Sequence, residues 1–112
     1  MDIQDAPVVV TTTPSGVRVA LVGAVHTNTA WLERELQKVV ERKPAEVELD
    51  LAKLPFLSSS GLGVLVAFRR NVINAGGVLK VVAVQRAVLG TLKFAHLDGV
   101  FQIDPGVVVA PE

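Results

Sequence analysis

Apolar and polar residues change period several times along the chain. Val8-Val-Val-Thr-Thr-Thr13 is β-branched throughout, Pro14-Ser-Gly16 supplies turn chemistry, and Val17-Arg-Val-Ala-Leu-Val22 alternates up to Gly23, which predicts a β-hairpin. Beyond Gly23 the spacing becomes helical. Trp31, Leu32, Leu36, Val39 and Val40 recur at three- and four-residue intervals, with Glu33, Arg34, Gln37, Lys38, Glu41 and Arg42 opposite them. Thr27, Asn28 and Thr29 are competent caps at the start of this helix, and Pro44 limits its end. Glu46-Val-Glu-Leu-Asp-Leu51 alternates again and predicts a strand, with Leu54–Phe56 leading from it into a serine cluster.

A second helix is expected from Ser59 or Ser60 to Ala75, with Gly76-Gly77 as its left-handed stop. Leu62, Leu65, Val66, Val72 and Ile73 fall on one arc of it. Arg69 falls in the same arc, so either its stem runs along apolar surface or the helix is rotated by part of a turn. Val78–Val84 predicts an apolar strand, about Arg86–Leu97 a shorter helix, and Phe101-Gln-Ile103 a short last strand. Asp104-Pro-Gly106 then turns the chain, and Val107–Ala110 is too short for a helix. Strands alternating with helices imply parallel βαβ units. The expected fold is therefore α/β, a mixed and mostly parallel sheet with an N-terminal antiparallel hairpin and helices packed against it.

With 112 residues, half of them apolar, the chain fits a single domain over 1–112 with one core. Eleven basic residues balance eleven acidic ones with no basic run, which argues against nucleic acid or an anionic membrane as the main partner. The absence of cysteine removes disulfides and thiolate chemistry. The N-terminus has no basic region followed by an apolar one, and no stretch is long enough to span a bilayer, so a cytoplasmic location without membrane insertion is expected.

The chemistry concentrates in Leu54-Pro-Phe-Leu-Ser-Ser-Ser-Gly-Leu-Gly-Val-Leu-Val66, which sets three hydroxyls at a helix start. Unpaired N–H groups there carry partial positive charge, so the serines either cap the helix and do nothing more, or accept a phosphate that the helix end tolerates. Gly61, Val64 and Phe68 lie on the flank of a helix that is apolar nearly all round, which either is deeply buried or, where that flank is exposed beside the serines, suits a partner protein.

Enzymatic readings fare worse. Ser59 or Ser60 as nucleophile would need His26 or His96 as base and Asp50 or Asp98 behind it, and the Gly-x-Ser-x-Gly elbow is missing. Gly61 and Gly63 satisfy neither a Walker loop nor the dinucleotide fingerprint. The two histidines are far apart in sequence, and no metal or other cofactor is expected.

The segment Asp50-Leu-Ala-Lys-Leu-Pro-Phe-Leu-Ser-Ser-Ser-Gly-Leu-Gly-Val64 resembles the Asp-Leu-x-x-(Leu/Val)-x-Phe-(Ile/Met)-Asp-Ser-(Ser/Thr)-Gly-Leu-Gly motif of bacterial STAS domains, in particular anti-sigma-factor antagonists. The resemblance extends over about residues 8–103, and Gly76-Gly77 with Val78–Val84 sits where that family has its next strand.

The resemblance implies a non-enzymatic partner switch. An anti-sigma factor with serine kinase activity would bind the unphosphorylated domain and phosphorylate Ser59, in preference to Ser58 or Ser60, ending the complex, and a protein phosphatase would restore it. Contacts would come from Ser58, Ser59, Ser60, Gly61, Leu62, Val64, Phe68 and His26. The alternative within the same family is a cytosolic accessory subunit of a lipid-transport ATP-binding cassette complex.

Two acidic positions of the motif are lost. Ser58 stands where the family has Asp, and Gly23-Ala-Val-His26 stands where it has Gly-Glu-(Leu/Ile/Val)-Asp. The family's long final helix has no counterpart in the few residues after Ile103.

Overall fold

The computed structural model describes residues 8–25, 29–97, 99–101, 103 and 105–109. Five strands and three helices follow in the order β1 (Val8–Thr13), β2 (Gly16–Val25), α1 (Thr29–Glu41), β3 (Glu46–Leu57), α2 (Ser59–Asn74), β4 (Val78–Gln85), α3 (Arg86–Phe94) and β5 (Val108–Val109). The strands lie side by side in chain order; β1 is antiparallel to β2 and every later pair is parallel. The α/β mixed sheet with its leading hairpin is the architecture expected from the sequence.

Among the described residues only one face of the sheet is covered. Val17, Val19 and Leu21 of β2, Val47, Leu49 and Leu51 of β3, and Leu79 and Val81 of β4 are buried. The alternate residues Arg18, Glu46, Glu48 and Lys80 face solvent and pair across strands, Arg18–Glu48 at 2.9 Å and Lys80–Glu46 at 3.6 Å. Leu32, Leu36 and Val39 of α1, Val64, Leu65, Phe68 and Val72 of α2, and Val88 and Leu92 of α3 complete one cluster against the covered face. Each such side chain withdrawn from water contributes roughly 1.5–3 kcal/mol.

β3 is longer than the alternation predicts. It uses twelve residues where β2 uses ten, because its register against β2 slips once between Ala20 and Val22 and again between Val22 and Ala24. Each slip inserts one extra residue, a β-bulge. The buried positions accordingly run Val47, Leu49, Leu51, Leu54, Leu57, the step widening from two residues to three at each bulge. Pro55, which has no N–H to give a ladder, falls in the second bulge.

Two side chains stitch the first bulge. The Ala52 N–H donates to Asp50 Oδ1 at 3.0 Å, and the Gln85 side-chain amide donates to the Ala52 carbonyl at 2.8 Å. Gln85 is the one buried polar residue among the described positions, and it is also the N-cap residue of α3.

The helix ends follow the same accounting. At the end of α2, Gly76 adopts φ 93° and donates to Ile73 O, while Gly77 donates to Val72 O. At the end of α3, His96 takes φ 60° and donates to Lys93 O, while Leu97 donates to Leu92 O. Both are Schellman closures, the second built on a non-glycine residue. Gly77 is further constrained because a Cβ there would collide with the Pro44 carbonyl.

Two expectations about the C-terminal part change. α3 stops at Phe94 rather than Leu97. The last strand is Val108–Val109, pairing with Val84–Gln85, and not 101–103. Phe101 instead lies in a turn with its ring in the core, so its apolar character serves as a plug and leaves the free edge of β4 to the later valines.

α2 is also rotated relative to the expected arc. Gly61, Val64, Leu65, Phe68 and Val72 face inward, Leu62 and Arg69 are half-buried and Ile73 is exposed. The rotation resolves the position of Arg69 without forcing a cation into the core.

Replacing Gln85 by Leu strands the Ala52 carbonyl and is expected to lower the unfolding free energy by about 1–3 kcal/mol in urea titration. Arg18→Ala, on the open face, is expected to lower it by less than about 1 kcal/mol.

Candidate functional site

Past the second bulge β3 ends at Leu57, whose side chain is buried, and the chain turns into α2 after the next residue. Ser58 holds the N-cap with extended backbone, φ −76° and ψ 165°, and its Oγ accepts the Gly61 N–H at 3.1 Å. Its hydroxyl is therefore engaged in closing the helix start, and Ser58 is half-buried. Ser59 and Ser60 occupy the first two helical positions with both side chains exposed.

The three serines thus differ in kind. Ser58 caps, as any Ser or Asp would, whereas Ser59 and Ser60 present hydroxyls to solvent above the positive end of a sixteen-residue helix. The first turn holds no acidic residue, so nothing there already balances that end. A dianionic phosphate on Ser59 would meet favourable potential from the helix and no like charge from its own first turn.

The surroundings divide between surface and core. Leu62 is half-buried and Gly63 exposed, with open space around the position of a Cβ. Gly61, Val64 and Phe68, expected among the partner contacts, are buried. α1 covers that flank: Val64 and Phe68 lie with Leu36 and Val40 in the seam between α1 and α2, which opens to solvent past Glu33, Arg34, Gln37 and Asn71. These three residues support the helix from below. His26 lies outside the described residues.

Phe56 has no place in the alternation-based reading, yet it is 53 % exposed on the strand that feeds the site. The second bulge is the cause, since it leaves Pro55 and Phe56 both facing outward between buried Leu54 and Leu57. A proline inside an otherwise apolar strand is the sequence signal for such a break.

Among the described residues the serine-nucleophile arrangement does not assemble. Asp50 Oδ1 accepts the bulge N–H of Ala52, His96 closes the far end of α3, and His26 and Asp98 lie outside the described residues. Among the described residues no hydrogen bond joins Ser59 or Ser60 to a histidine or carboxylate, none of the His, Asp and Glu groupings could hold a metal ion, and no helix is long and apolar enough to cross a membrane.

Comparison with known proteins places this geometry. The description "STAS domain" matches residues 8–110. No functionally curated protein matches the chain. Among solved structures, an anti-sigma factor antagonist from Mycobacterium paratuberculosis superposes with a TM-score of 0.79 at 27 % identity, covering 94 % of this chain and 91 % of that one. The anti-sigma factor antagonist SpoIIAA in its unphosphorylated form gives 0.69 at 14 % identity over 95 % of this chain and 89 % of its own. The phosphorylated form of SpoIIAA, the Bacillus cell fate determinant, gives 0.61 at 14 % identity over 95 % and 92 %. At that identity the two SpoIIAA structures speak to the fold.

The division among the serines is testable by stability alone. Ser58→Ala is expected to cost about 1 kcal/mol in chemical denaturation and Ser58→Asp to retain the cap. Ser59→Ala and Ser60→Ala are expected to stay within about 0.5 kcal/mol of the parent.

Proposed function

As this chain belongs to the STAS domain family, we propose that it is a cytoplasmic anti-sigma-factor antagonist that works by partner switching, with Ser59 as the switch. The observation that carries this reading is the exposure of Ser59 on the first turn of α2 while Ser58 is held in the cap. In the unphosphorylated state an anti-sigma factor with serine kinase activity covers the start of α2. Ser59, Ser60 and the exposed edge of Leu62 supply contacts, and Phe56 offers an aromatic anchor of the kind that dominates protein interfaces.

Phosphate on Ser59 adds about −1.5 to −2 charges to a surface whose binding depends on apolar burial, and the complex is lost. The helix end itself is not harmed by that charge. Switching therefore changes what the surface binds and leaves the fold alone. A phosphatase returns the hydroxyl and with it the affinity.

The departure at position 58 fits this scheme. Ser58 provides the same capping oxygen as the family aspartate without its charge, so the site keeps its geometry and loses a carboxylate next to the phosphoacceptor. The similarity to the mycobacterial antagonist across nearly the whole of both chains supports the assignment of role.

Incubation with each purified anti-sigma kinase of the native host and ATP, followed by peptide mass mapping, is expected to find one phosphate on Ser59, lost in Ser59→Ala. Ser59→Asp is expected to weaken binding to that kinase at least about tenfold, near 1.4 kcal/mol. Phosphate mapped to Ser58, or a host in which a membrane-bound ATPase complex is the only specific partner, contradicts the reading.

A further inference from the structure

Among the described residues β1 is the outermost strand of the sheet, paired with β2 on one side only. Four of its six residues are exposed, while Val8 at its start packs against the core and Thr13 at its end is half-buried. The exposed set includes Val9 at 49 % and Val10 at 37 %. Natural sheets blunt such an edge with charge, proline, a bulge or extreme shortness. β1 uses none of these: Val8 to Thr13 are all valine or threonine and pair with β2 in unbroken register. The opposite edge is protected by shortness, since β5 has only two residues.

We propose that β1 is a self-association edge, pairing antiparallel with β1 of a second copy to join two sheets into one. The strand is complementary to itself. In an antiparallel ladder, opposed residues either both face the partner or both face away, so a two-fold axis must pass through a residue. Overlap is greatest with the axis at Val10 or at Thr11. An axis at Val10 opposes Val8 to Thr12 and Val9 to Thr11; one at Thr11 opposes Val9 to Thr13 and Val10 to Thr12. Every cross-strand pair is then β-branched on both sides with no charge to repel, a favourable combination on a pleated surface.

The second copy is the occupant these features favour. A charged or proline-bearing foreign strand would gain no matching partner from six uncharged β-branched residues. The joined sheet also keeps the helix layers on one side, because antiparallel extension places the two-fold axis along the sheet normal. The C-terminal ends of the two β3 strands then point in opposite directions, so both Ser59 sites remain open. The inference does not depend on the role proposed for Ser59.

The chain contains no cysteine, which gives a cross-linking test with no background. Residues opposed on a two-fold axis have Cα atoms about 4.5–5.5 Å apart, within the range of about 4.4–6.8 Å that a disulfide spans. Sedimentation velocity of the native-sequence protein is expected to show concentration-dependent dimer. Val10→Lys, folded by circular dichroism, is expected to sediment as monomer, and Val78→Lys, on exposed β4 surface, as dimer. Under mild oxidation Val10→Cys or Thr11→Cys is expected to give a covalent dimer and Val78→Cys none. A native-sequence protein that stays monomeric, a dimer that survives Val10→Lys, or the failure of both cysteines near the axis to cross-link overturns the proposal.

Discussion

Burial of one face of β3 is the constraint on which the remaining structure depends. Val47, Leu49, Leu51, Leu54 and Leu57 must all reach the core, yet they are not spaced evenly in the chain. The two bulges reconcile the sequence with the covered face by inserting a residue wherever the step widens. Asp50 and Gln85 bond the Ala52 backbone at the first of these breaks, so its polar groups do not offset the apolar gain. Without the bulges Leu54 and Leu57 would not both point inward, and the chain would leave the sheet in a different direction.

The site inherits its geometry from that strand. Leu57 anchors the last residue of β3 in the core, Ser58 closes the helix start one residue later, and Ser59 and Ser60 follow on the surface. The helix is held from beneath by Gly61, Val64, Leu65 and Phe68, packed in part against α1. Rigid support and an exposed hydroxyl are thus separated by a single turn of helix. This separation lets a surface group change its charge while the hydrophobic contacts under it stay in place, which is what a reversible modification of a small domain requires.

Much of this could be read from the residues in order. Alternation in Val17–Val22 and Glu46–Leu51, the helical spacing from Trp31 to Val40, and Gly76-Gly77 located β2, the start of β3, α1 and the end of α2, because each obeys a single period. The position of the serine cluster at the start of α2 is legible for the same reason. What failed were places where tertiary contacts override periodicity. β3 continued past Leu51 because bulges break the two-residue step. α2 is rotated from its own apolar arc because almost all of its sides are apolar, so packing against the sheet and α1 selects the inner one. Phe101 and Val108–Val109 exchanged roles because a strand this short is defined by the free edge of β4 rather than by its own sequence. The exposure of Phe56 is not legible in the sequence, since it follows from a bulge that exists only once the strands are paired.

The central claim is that charge added at Ser59 alters the surface of this domain and not its interior. Its most direct measurement is a pair of amide spectra and urea titrations on protein carrying phosphoserine at position 59 and on the unmodified chain. The account predicts shift changes confined to the neighbourhood of residues 56–63 and a stability that is unchanged or raised by up to about 1 kcal/mol through the helix end. Shifts spreading to Val47, Leu49 and Val81 in the core, with a loss of about 2 kcal/mol or more, would contradict it.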